Sequence, residues 1–243
     1  MIFTFVCIVF LFLPLIYRGV SPVWAAVLVA ILTTVVTMYL LGGISSKSVT
    51  AVVGTVLGVG ISGILAILFG KWTHISGYNV ADIEQLTYVG QTTNIKIGEL
   101  LYAGILISAL GAVMDVAMSI ASTINEIHFR NPLLSARELF FSGIRVGKDM
   151  MGTMSNTLIL AFTGTSINTL VFLYVYNYST TQIINMYSIG IELIQGIAST
   201  MGVILTIPLV SLLSAWHLKR KEIKIFFQKV FQMNRPAVNQ SGA

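Results

Sequence analysis

The chain has 243 residues, 56% of them apolar and 9% charged, with a formal net charge of +5 and a mean hydropathy of +0.87. A soluble domain averages about 25% charged residues, so these few charges cannot cover a globular surface in water, and lipid is the expected solvent. The positive balance is placed by topology and is not a nucleic-acid footprint.

The spacing of apolar runs predicts an all-α polytopic bundle of six transmembrane helices. Residues 1–218 form the six-span domain and residues 219–243 a basic amphipathic cytoplasmic tail. Met1 to Tyr17 is apolar and ends at Arg18; it lacks a basic n-region and a small-x-small cleavage site, so a retained span is expected. Cys7 within it is alone in the chain, which excludes an internal disulfide and a multi-cysteine metal site. Val23 to Leu41 is the second span and Ser48 to Gly70 the third. The third carries Gly54, Gly58 and Ser62 at four-residue steps, a stripe that lets a neighbouring backbone approach closely.

Lys71 to Ile97 is the one long polar connection, with a short amphipathic helix expected over Asn79 to Tyr88. Leu100 to Thr123 is the fourth span. In Glu126 to Asp149, Asn131-Pro132 reads as a helix start, and Leu133, Leu134, Phe140, Phe141 and Ile144 predict a helix lying along the membrane surface. Met150 to Tyr176 is the fifth span and Met186 to Ala215 the sixth. In the tail, Ile223, Phe226, Phe227 and Val230 recur at helical spacing among Lys219, Lys221, Lys224 and Lys229, a pattern suited to anionic lipid.

Six spans place Lys47, Arg130, Arg137, Arg145, Lys148, Lys219, Arg220, Lys221, Lys224, Lys229 and Arg235 on one side. These are eleven of the 14 basic residues; Arg18, Lys71 and Lys96 fall on the other. Positive residues stay in the cytoplasm, so both termini are expected there.

Polar groups inside the spans carry the functional signal. Asp115 lies in an apolar and small-residue run, where a carboxylate costs roughly 2.5 to 3.5 kcal/mol on translocon scales. Ser108, Gly111, Ser119, Ser122 and Glu126 share its face. The fifth span presents Thr153, Asn156, Thr157, Gly164 and Asn168, and the sixth Glu192, Gln195, Gly196, Ser199, Gly202 and Thr206. Lipid satisfies neither amide nor carboxylate, so the three stripes are expected to converge. From the helical rise, Asp115 lies roughly 13 Å and Asn156 roughly 9 Å from the cytoplasmic side, close enough to meet, with Glu192 roughly 7 Å below the outer surface. Asp115, Ser119, Asn156, Thr157, Glu192, Gln195 and Ser199 are therefore candidates for an intramembrane polar path. Glu126, Lys148 and Asp149 are candidates for its cytoplasmic gate, and Gly54, Gly58, Gly111, Gly152, Gly196 and Gly202 for helix packing.

The blocks Gly111 to Ile127, Gly147 to Gly164 and Ile191 to Leu209 resemble the signature blocks of the YibE/F family of bacterial multi-pass membrane proteins, a resemblance running from about Val49 to Leu213. It implies a plasma-membrane helical bundle and names no reaction. Asp115, Asp149, Gly152, Asn156, Glu192 and Gly202 are the positions it carries across. Longer relatives have an extra N-terminal span and extracytoplasmic segment, which implies that this chain is one component of a complex.

No P-loop, HExxH, GxSxG or dinucleotide fingerprint is present, and His74, His128 and His217 fall on both sides of the membrane, so no enzyme, cofactor or metal site is expected. An intramembrane hydrolase pairing Asp115 with Glu192 is disfavoured, because the two acids lie roughly 10 Å apart in height by the same helical rise. Two readings remain. One is a permease-type protein with a path for a proton, cation or small solute. The other is a non-transporting subunit that docks a second membrane protein or another copy through its glycines and polar faces.

Overall fold

The computed structural model describes residues 2–80 and 83–233, with side chains through Arg220. The side chains on which the lipid-binding face of the tail rests, from Lys221 onward, lie outside the described residues; the backbone there continues as helix to Met233.

Every described element is a helix. Helix α1 (Ile2–Cys7), a π-helical turn (Ile8–Phe12) and α2 (Leu13–Tyr17) run on as one apolar rod, Ile2–Tyr17. Gly19, at φ +87°, turns the chain into α3 (Pro22–Gly42), which starts with proline at its first position and stops at Gly43, φ +64°. The side chain of Asn94 crowds Gly19, so a left-handed turn and a close approach both select glycine there. Helix α4 (Ser46–Thr73) follows, then a 3-10 turn (Gly77–Asn79) and α5 (Ile83–Thr92). Helices α6 (Ile97–Arg130), α7 (Ala136–Thr165), α8 (Ile167–Val175), α9 (Thr180–Ile184) and α10 (Tyr187–Met233) complete the chain.

Among the described residues four helices are long and apolar enough to cross a bilayer: α3, α4, α6 and the Tyr187–Arg220 part of α10. Helices α7 and α8, bent by 57° at their junction, give a fifth if they are one broken span. The rod Ile2–Tyr17 is shorter than these; at about 1.5 Å per residue it reaches roughly 24 Å of a core about 30 Å thick. The structure thus supports four or five spans, where apolar run lengths alone predict six.

Helices α4, α6 and α10 pack on one another and form the centre. The seam between α4 and α10 is antiparallel and built on glycine. A Cβ at Gly54 would strike Val210, one at Gly58 would strike Thr206, and one at Gly202 would lie 2.7 Å from Ser62 Cβ. The backbones are therefore as close as the stripe allows, and the Ser62 hydroxyl donates across the seam to the Ala198 carbonyl at 3.0 Å. Helix α6 turns its apolar face inward, with Ile105, Leu106, Val113, Val116, Ile120 and Ile124 nearly or fully buried. Helix α3 packs on α6 and α4, and the N-terminal rod packs on α3. At their N-terminal ends α3 and α6 are tied by the Ser21 hydroxyl, which donates to the Glu99 carboxylate.

Helix α7 departs from expectation. Residues 136–165 form one continuous helix along α10, not a surface helix followed by a separate span. Gly143 and Gly147 explain this. A Cβ on the first would lie 2.5 Å from Ser211 Oγ, and one on the second would strike Ile207, so α7 seats against α10 well before Met150. The start is Ser135, not Asn131-Pro132, because Ser135 and Glu138 form a reciprocal capping box. The Ser135 backbone N–H and hydroxyl donate to the Glu138 carboxylate at 2.7 and 2.8 Å and hold it below the usual carboxylate range. A lowered carboxylate contributes above its ordinary titration range, and the contribution fades as pH falls through the folded value. Ser135→Ala should therefore speed amide exchange in the first turn of α7 about fivefold near neutral pH, the scale of a typical N-cap. The parent should converge on the variant under acid; unchanged exchange at neutral pH would discount the cap.

Candidate functional site

On α6 the carboxylate points away from the bundle. Asp115 is exposed, and a Cβ built on Gly104 or Gly111 meets nothing within 4 Å. Ser108, Ser119 and Ser122 are half-buried on the same side, and Glu126 is exposed. Gly111, Asp115 and Glu126 thus mark the side of α6 left open among the described residues, while Ser108, at its margin, is reached by Gln195 of α10.

On α7 the polar stripe is also external. Asn156, Thr157 and Thr153 are exposed, with the Thr157 hydroxyl donating to the Thr153 carbonyl of its own helix at 2.9 Å. Gly152 and Gly164 face open space. Among the described residues Asp115 and Asn156 share no hydrogen bond. At Gly111 and Gly152, expected as packing positions, a built Cβ meets nothing within 4 Å among the described residues. The gate candidates are likewise apart: Lys148 and Asp149 are exposed on α7, while Glu126 pairs with Arg130 one turn along α6, Oε1 to Nε 2.9 Å.

The stripe on α10 goes elsewhere. Gln195 donates to the Ser108 hydroxyl of α6 at 3.3 Å. Ser199 is fully buried, and Gly202 and Thr206 belong to the seam with α4. The three stripes therefore do not converge on one interior, because α4 occupies the face of α10 that α6 and α7 were expected to meet. The small residues of α4 allow the closer approach, and in lipid close packing decides which helices associate.

Glu192 is the exception. It is half-buried and borders a groove of about 390 Å³ between α10 and the α7–α8 junction. Its Oε2 is buried without a hydrogen-bond partner, and so are the hydroxyls of Ser166 and Thr200, which line the same groove. Ser166 is the hinge residue: it ends α7 and starts α8. Gly196 also lines the groove; a Cβ there would make ordinary contact with Phe162 at 3.7 Å, so this glycine leaves space instead of closing a seam. Sequence reasoning passed over Ser166 and Thr200. Thr200 continues the four-residue step from Glu192 through Gly196, and Ser166 closes a Gly-Thr-Ser triplet inside an apolar run. Both patterns were available as signals.

Among the described residues no group of three or more His, Cys, Asp or Glu is placed to hold a metal ion. No curated protein and no solved structure matches the chain. The model of the family described as YibE/F-like protein matches residues 1–220, which takes in every helix described above as far as the last residue with a described side chain. It spans all three sequence blocks and both polar surfaces, and the chain accordingly belongs to the YibE/F-like family of membrane proteins.

Proposed function

We propose that this chain is a permease-type protein of the bacterial plasma membrane that works as an assembly of identical copies. It moves a proton, a small cation or a small solute along a polar seam formed where the open side of α6 meets another subunit. The observation that carries this reading is the outward position of Asp115 on a helix of spanning length. A carboxyl group at that level finds no partner in hydrocarbon and is kept only against protein or water. A second copy offers small residues for close approach and the same polar groups in return, as a two-fold interface requires. Both termini lie in the cytoplasm in this reading. In support, Lys47, Arg130, Arg137 and Lys219 stand at one end of α4, of α6, of α7 and of the apolar Tyr187–Arg220 part of α10. Gly19, after the N-terminal rod, abuts Asn94 at the other.

A cysteine at Gly111, in a Cys7→Ser background, should cross-link to a dimer with a short bismaleimide in native membranes. A cysteine at Gly60, also in open space on α4, should not. A monomer at both positions would remove the shared seam. A second reading, a non-transporting subunit that docks a different membrane protein, is favoured by the open Gly104, Gly111, Gly152 and Gly164. It expects a cross-link to that other protein and no solute flux from the purified chain.

A further inference from the structure

The groove at the α7–α8 junction is lined by residues of α7, α8 and α10 and the Ser166 junction, with none from α6, and its chemistry points to a ligand. We propose that it is a binding site for an amphipathic primary amine, an ammonium group on an apolar body. The source is a free alkylamine or the ethanolamine headgroup of a phospholipid.

Unpartnered polar atoms mark the polar side of the groove, and the head position is at Glu192 and Ser166. Glu192 Oε2, Ser166 Oγ and Thr200 Oγ1 are each buried, each without a partner, and all on the groove. A buried polar atom is normally hydrogen-bonded, and an exception calls for an absent partner. A carboxylate only accepts, and a hydroxyl can accept; an ammonium offers three donors and no acceptor. A primary amine can therefore donate to Glu192 and Ser166 together, which the antiparallel register of α7 and α10 brings level, while Thr200 lies two turns along α10, roughly 12 Å from Glu192 by helical rise, beside the body of the ligand. A carboxylate ligand would meet Glu192 with like charge.

The rest of the groove defines the body. Ile159, Phe162, Leu170, Leu193 and Ile197 make its walls apolar. The volume of about 390 Å³ far exceeds the roughly 10 to 15 Å³ that holds one water. A bare ion would leave most of that space empty, whereas an apolar body several methylenes long occupies it. Gly196 keeps the space open, since its missing side chain faces Phe162 without crowding it.

The test uses the full chain in nanodiscs, with octylamine as probe and octyltrimethylammonium and octanoate as controls. Octylamine should raise the thermal midpoint in a saturable way, and the trimethylated probe, which has no N–H, should bind about tenfold more weakly. Glu192→Gln should weaken octylamine about tenfold by removing the charge on the acceptor. Gly196→Leu should block the probe by filling the groove while leaving the elution profile of the protein unchanged. Native mass spectrometry of discs made with phosphatidylethanolamine or with phosphatidylcholine separates the sources. Retained phosphatidylethanolamine that Glu192→Gln releases identifies the lipid; octylamine binding with neither lipid retained identifies a free amine. Octanoate binding as tightly as octylamine, equal binding by the parent and both variants, or loss of an oligomer in Gly196→Leu would overturn the proposal. None of these outcomes depends on flux or on cross-linking at residue 111.

Discussion

Gly58→Val should collapse the central seam of the protein. A Cβ at this position would strike Thr206 of α10 and come within 2.9 Å of Val113 Cγ1 of α6. Neither neighbour is the free end of a flexible side chain. Thr206 is fully buried and donates its hydroxyl to the Gly202 carbonyl at 2.7 Å, and Val113 is fully buried in the core. Relief would require α4 to back away from both helices, which also breaks the Ser62 to Ala198 hydrogen bond one turn on. Overpacking a core typically costs about 1 to 3 kcal/mol, and a branched side chain between backbones belongs at or above the top of that range. The expected readout is a large fall in thermal midpoint in mild detergent, with loss of the monodisperse elution peak. Gly60→Val is the control, because a Cβ there meets nothing within 4 Å; it should stay within about 0.5 kcal/mol of the parent. Equal stability of the parent and Gly58→Val would mean that α4 and α10 are not in contact as described.

Asp115→Asn should separate activity from stability. The side chain is exposed and has no hydrogen-bond partner among the described residues, so the stability of the single subunit should move by no more than about 0.5 kcal/mol. The expected loss is functional. An amide keeps the size and polarity of the acid but cannot take up or release a proton. Proton-linked flux in proteoliposomes should therefore fall by about two orders of magnitude, the scale on which removing a positioned proton carrier acts. Asp115→Glu should retain part of it. Undiminished flux in Asp115→Asn would take the residue out of the path. A parent protein silent toward protons and a wide solute panel would favour the docking-subunit reading.

Much of this protein was legible before any coordinates. So few charges in so many residues require lipid as solvent, and helix is the form that satisfies the backbone there within each segment. The Gly54, Gly58, Ser62 spacing marked a close approach, and α10 makes it. The blocks around Asp115, Asn156 and Glu192 carried the family resemblance, and the family model agrees with it over residues 1–220. The number of spans was less legible, because run length does not report a bend. No proline or charge marks the 57° junction at Ser166, and capping at Ser135 extends α7 well before the apolar run begins.

What only the tertiary structure decided is which polar face meets which. Helical periodicity places residues on a face but does not choose the neighbour that covers it. Lipid supplies no hydrophobic preference between one helix pairing and another, so close packing of small residues makes the choice. It gave the polar side of α10 to α4, left Asp115 and Asn156 on the outside, and opened a groove beside Glu192.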